Sequence, residues 1–137
     1  LNILVDTSVV SQTRKGTPMP GVVRWLQRQS VDSLYLSAIS VHEIRQGIEL
    51  APAGAKRNAL EIWLQDFVLR VFADRILSVD GVVADASGRL VALTNKKGHT
   101  AELADALIAA TAKVHGLKVA TLNRKHFERL GVELVEF

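Results

Sequence analysis

Asn2-Ile3-Leu4-Val5-Asp6-Thr7-Ser8 is the stretch on which the fold turns. Three apolar residues in a row, with no polar alternation, suit a strand covered on both faces. The run ends on an acid and two hydroxyl residues, so the chain is expected to leave the sheet at Asp6. Outward from here, similar short runs recur at Ser33-Leu-Tyr-Leu-Ser37, Arg75-Ile-Leu-Ser-Val79 and Lys118-Val-Ala-Thr121, and Val132-Glu-Leu-Val135 reads as an edge strand. Helical segments separate them, over about residues 22–29, 41–50, 55–72, 82–93 and 101–115. Thr17-Pro-Met-Pro-Gly21 reads as a loop, and Arg124 to Leu130 as a turn or short helix. Pro52 and Gly54 break the chain between the second and third helices, which predicts an antiparallel hairpin. In the third, Leu60, Trp63, Leu64, Phe67, Val68 and Val71 recur along one face. The fifth is Ala-rich, with Thr100 as its starting cap and Gly116 as its end.

Short apolar strands alternating with helices imply an α/β fold: a mostly parallel central sheet of four to five strands, sandwiched by helices. A chain of 137 residues suits one domain, 1–137. Such sheets place their sites beyond the carboxyl ends of the strands. Asp6, Thr121 and the loop at Asn123 fall there.

Composition narrows the chemistry. There is no cysteine, which excludes a disulfide scaffold, a thiolate zinc site and a thiol nucleophile. No apolar run nears the roughly 20 residues of a membrane span, and a strand-like run at the very start leaves no signal peptide to expect. A cytoplasmic protein without membrane contact is the expectation. The formal charge of +3 is a weak pointer to an anionic partner.

Three acids stand among apolar or small residues: Asp6, Glu43 in Ser40-Val-His-Glu-Ile, and Asp105 in Glu102-Leu-Ala-Asp-Ala-Leu. In a parallel sheet all three can meet at one end. Clustered carboxylates repel unless a cation lies between them. A hard ion such as Mg2+ accepts their oxygens and suits phosphoryl chemistry. Each acid also has a plain alternative. Asp6 can cap the following turn, Ser40-x-x-Glu43 matches a capping box, and Asp105 shares a helical face with Glu102 and Lys113. Asp80 reads as an N-cap, and Asp74 and Asp85 as solvated. His42, His99, His115 and His126 form no zinc spacing. There is no Walker loop and no G-x-S-x-G elbow, and Ser8 stands where a haloacid-dehalogenase-type phosphatase has its second Asp.

Taken in order, Asn2-Ile-Leu-Val-Asp-Thr-Ser-Val9, Ser37-Ala-Ile-Ser-Val-His-Glu-Ile44, Glu102-Leu-Ala-Asp-Ala-Leu-Ile-Ala-Ala-Thr111 and Val119-Ala-Thr-Leu-Asn-Arg-Lys-His-Phe127 resemble the motifs of PIN-domain toxins of the VapC type, including the FitB-like branch. The resemblance covers nearly the whole chain. It implies an endoribonuclease dependent on Mg2+ or Mn2+ that cuts tRNA or another structured RNA with metal-activated water. It also implies a cognate VapB/FitA-like antitoxin that carries the contact with DNA, a homodimer, and a larger toxin–antitoxin assembly. By position, Asp6, Glu43 and Asp105 would hold the metal and carry catalysis, supported by Thr7, Thr121 and Asn123. The family often has Asn-x-x-Asp-Phe in the last motif, whereas this chain has His126, so the fourth acid is replaced. Arg14, Lys15, Arg124 and Lys125 are candidates for RNA phosphates. Trp63 and Phe67, on the helix hairpin, are candidate walls of an apolar groove for an antitoxin tail. A PIN-like antitoxin- or RNA-binding module with weak catalysis, and a phosphatase acting on small esters, are the rival readings.

Overall fold

The computed structural model describes residues 2–137; Leu1, where the expected domain span begins, lies outside the described residues. Its centre is a four-stranded parallel sheet in the order β3-β2-β1-β4. The strands are β1 (Ile3–Val5), β2 (Leu34–Ser37), β3 (Ile76–Leu77) and β4 (Lys118–Ala120). β1 pairs with both β2 and β4, so the quoted opening stretch is the middle of the sheet. That position explains its unbroken apolar run: side chains alternate faces, and both faces are covered. Ile3 and Val5 join one core with Leu34, Leu36 and Ala120, while Leu4 joins a second with Val119.

The helices divide between those cores. α2 (Pro20–Arg28) and α3 (Ala38–Leu50) cover the Ile3/Val5 face, together with the chain after α4 (Ala55–Trp63). α6 (Gly81–Lys96), α7 (Leu103–His115) and α8 (Arg124–Arg129) cover the Leu4 face. Arg45 on α3 forks onto Glu61 on α4 through two bonds of 2.7 Å, and Arg57 reaches Glu49 at 3.2 Å, which fixes the antiparallel hairpin. The half-buried Glu61 carboxyl is held down at about 2, chiefly by hydrogen bonding to Arg45.

Several expectations are corrected. The helix read over 55–72 is not uniform: a π turn (Leu64–Val68) and a last turn, α5 (Leu69–Val71), follow α4. Leu64 and Val68 stay buried, whereas Phe67, placed on the buried stripe by its spacing, is 37% exposed. α7 begins at Leu103 with Glu102 at the N-cap position, so Thr100 does not cap it. Gly116 does end it, at φ 68°, a left-handed conformation that glycine adopts without a Cβ clash. The segment read as an edge strand forms only a parallel bridge between Val119 and Leu134. α2 starts at Pro20, inside the segment read as a loop, because proline suits a helix's first turn. Directly after Asp6 lie two turns missed by the apolar pattern, α1 (Thr7–Val10) and a 3-10 turn (Ser11–Arg14). Asp80 caps α6 by accepting from the Val83 N–H at 2.9 Å. Among the described residues no helix is long and apolar enough to cross a membrane.

Candidate active site

Asp6 leaves the sheet where β1 ends. Its N–H still donates to the Ala120 carbonyl at 2.9 Å, so its backbone is locked to β4. The side chain is 2% exposed. Two hydroxyls hold it: Ser8 Oγ donates to Oδ2 at 2.7 Å and Thr121 Oγ1 to the same oxygen at 2.8 Å. These hydroxyls are themselves fixed, since Leu122 N–H donates to Ser8 Oγ at 3.0 Å and Asn123 N–H to Thr121 Oγ1 at 2.9 Å. Asp6 stands at the N-cap of α1 but makes no side-chain cap bond, so capping does not explain it. Asn123 meets this group of side chains through its backbone N–H.

Glu43 comes from the second turn of α3. The capping-box reading fails, because the N-cap is Ser37, whose hydroxyl accepts from Ile39 N–H at 3.0 Å, and Ser40 lies inside the helix. Glu43 instead accepts from Thr7 Oγ1 at 2.8 Å, and Ser40 Oγ lies 2.7 Å from the same threonine oxygen. Asp105, in the first turn of α7, has a side chain 15% exposed, and His126 Nδ1 lies 3.3 Å from its Oδ2. The imidazole thus occupies the site's edge rather than pointing away from it. Ser8 and Ser40 were not marked as support for the site in the sequence. The only signal for Ser8 was its place two residues after Asp6, the reach of a local hydroxyl–carboxylate bond.

The three acids feel one another. Burial raises the Glu43 carboxyl above the usual carboxylate range, and the charges of Asp6 and Asp105 add to the rise, against a lowering bond from Thr7. Asp105 is raised by burial and then by Asp6, with His126 opposing. Among the described residues no lysine or arginine pairs with any of the three. Nor do three Asp, Glu or His side chains converge there as a finished cage. The donor set nonetheless fits a hard divalent cation: carboxylate oxygens in mutual repulsion at partly dry positions, with a pre-oriented Asp6. A bound ion would compete with Thr7 for Glu43 and with His126 for Asp105.

Of the cations expected to meet RNA, Arg124 is already engaged: its guanidinium donates to the Val135 carbonyl and to Glu136, each at 2.8 Å. Arg14, Lys15 and Lys125 are exposed. Trp63 lines a cavity beside Glu43, but Phe67 lines different ones, with Leu26 and Val10.

A parallel α/β sandwich with an acidic cluster beyond the carboxyl ends of its middle strands is the class defined by this fold and site. Within that class the chain belongs to the PIN-domain family, whose model matches residues 3–133. It is 40% identical to the toxin FitB of Neisseria gonorrhoeae over 91% of this chain and 90% of that protein. It is 37% identical to the VapC ribonuclease Y4jK of Sinorhizobium fredii over 97% and 95%. A solved structure of FitAB bound to an IR36 DNA fragment superposes with a TM-score of 0.91, at 37% identity over 97% of this chain and 93% of that one.

Proposed function

We propose that this chain is a Mg2+-dependent endoribonuclease, the toxin of a cytoplasmic toxin–antitoxin pair, built as one domain. The observation that carries the reading is the charge of Asp6 acting on both Glu43 and Asp105, which burial already raises, with none of the three paired with lysine or arginine among the described residues. The ribonuclease and toxin names of its relatives support it. Mg2+, or Mn2+ in its place, would offset the carboxylates' charge, polarise a phosphate oxygen and acidify water.

The chain's own residues supply the rest. Asp6 is the fixed ligand, because Ser8 and Thr121 hold its carboxylate in one orientation. Thr7 orients Glu43, whose raised pKa suits it to accept a proton from the attacking water. Asp105 is the third ligand, with His126 as support at its outer edge. The substrate is RNA, with tRNA or another structured RNA as the class. The partners are a VapB/FitA-like antitoxin that makes the DNA contact and a second copy of this chain in a homodimer and larger assembly. Incubating the purified chain with bulk tRNA should give cleavage with Mg2+ or Mn2+ and none with EDTA, while a chromogenic phosphomonoester stays intact. Turnover of the phosphomonoester alone would refute the reading.

A further inference from the structure

Two cavities flank the acidic cluster, and each contains one of its members. One, of ≈160 Å3, includes Thr7, Arg14, Glu43, Gly47, Ile48 and Trp63. The other, of ≈140 Å3, includes Thr94, Glu102, Asp105, His126 and Arg129.

The first cavity is equipped for a flat, partly apolar group attached to an anion. Trp63 forms one wall. Its Nε1–H donates to Thr13 Oγ1 at 2.9 Å, which pins the indole at its polar edge. Ile48 and Leu60 complete the apolar lining. Arg14 is exposed and, among the described residues, pairs with no carboxylate, although Glu43 lines the same cavity. Gly47 is the most telling wall. Glycine inside a helix costs about 0.5–1 kcal/mol relative to alanine. Packing does not require it here, because a Cβ at that position would meet nothing within 4 Å. At this position the cavity is lined by backbone alone. Unpaired RNA bases are held by aromatic stacking and their phosphates by arginine.

We propose that the cavity between Trp63, Gly47 and Arg14 is a base-binding subsite for the unpaired ribonucleotide next to the scissile phosphate. Trp63 stacks on the base, Arg14 holds its phosphate, and Gly47 leaves room for the ring. The proposal rests on the ribonuclease reading above.

The test uses fluorescent single-stranded RNA hexamers of each base, bound by proteins in an Asp105→Asn background so that nothing is cut, and cleavage kinetics in the active background. Gly47→Leu and Trp63→Leu should each weaken binding by about tenfold or more. In cleavage they should raise KM with kcat little changed and flatten base preference on one side of the cut. Trp63→Phe should restore most of the affinity. Gly47→Leu meets open space, so it should keep or raise thermal stability while losing RNA, which no folding defect would do. Arg14→Ala should lower the slope of log affinity against log salt by about 0.7. If wild type cuts RNA and the variants bind and cut with unchanged KM and preference, the subsite is overturned, the ribonuclease reading stands, and the groove belongs to a protein partner's segment. If wild type neither binds nor cuts RNA, both fall.

Discussion

The Leu4 face of the sheet is closed under α7 by small residues, with Leu90, Phe127 and Leu130 beside them, whereas the Ile3/Val5 face is covered by large ones throughout. On α7, Ala106, Ala109, Ala110 and Ala112 are fully buried alongside Ile108 and Thr111. Short side chains let this helix lie close against the sheet, which is how Asp105 comes to feel the charge of Asp6. The opposite face uses Trp25, Ile44, Ile48, Leu64 and Phe72. These do not tile the surface completely: a cavity of ≈170 Å3 remains among Val5, Val10, Leu26, Phe67 and Phe72. Each face leaves space beside one acid, ≈140 Å3 at Asp105 and ≈160 Å3 at Glu43. The faces differ in the size of the side chains that seat their helices on the sheet.

The largest expected effect falls on the acid fixed by the closed face. Asp105→Asn keeps the shape and, under the proposed function, removes a charge worth several kcal/mol to a bound metal and the transition state. RNA cleavage should drop by at least about a hundredfold, with the circular dichroism spectrum unchanged. Wild-type rates in this variant would detach α7 from the chemistry.

Next comes packing. Ala109→Leu on the closed face should cost about 1–3 kcal/mol or more, because a filled interior has no space for three added carbons. Val10→Ile, which adds one carbon beside the ≈170 Å3 cavity, should stay within about 1 kcal/mol. Urea denaturation of both variants measures the contrast, and equal losses would erase it.

The smallest effect is electrostatic. Glu43 and Asp105 both titrate above their ordinary values in the folded chain. Raised carboxylates penalise the folded state fully above their folded pKa values, and the penalty vanishes below the unfolded ones, near 4. In EDTA, the melting temperature of wild type relative to Asp105→Asn should therefore rise as pH falls from neutral toward that range. The variant should be the more stable protein at neutral pH. A difference between the two that does not change with pH would show that the Asp105 carboxyl is not raised in solution.

The sheet was legible because its apolar runs sit between helices with clear punctuation. The acids were legible because an unmatched carboxylate among small or apolar neighbours is costly to bury. Other features lay beyond local pattern. Ser40-Val-His-Glu43 satisfies a capping-box spacing, yet Thr7, from a different turn of the chain, takes the glutamate instead. Arg124 looked like a free cation because its partners, Val135 and Glu136, lie eleven and twelve residues onward in an irregular segment. Phe67 fits a perfect α-helical stripe, but the π turn rotates it out of register. Each miss is a tertiary contact or a backbone departure that periodicity does not encode.

The bond between Thr121 and Asp6 joins residues 115 apart. During translation the central strand is made long before its neighbour β4. At about 5–20 residues per second, Asp6 waits on the order of ten seconds for the hydroxyl that orients it. The sheet's middle strand has only β2 beside it until then. A chain still on the ribosome therefore carries Asp6 without its Thr121 partner until the end of β4 has emerged. Pairing β1 with the last strand in sequence separates the making of Asp6 from the completion of its surroundings.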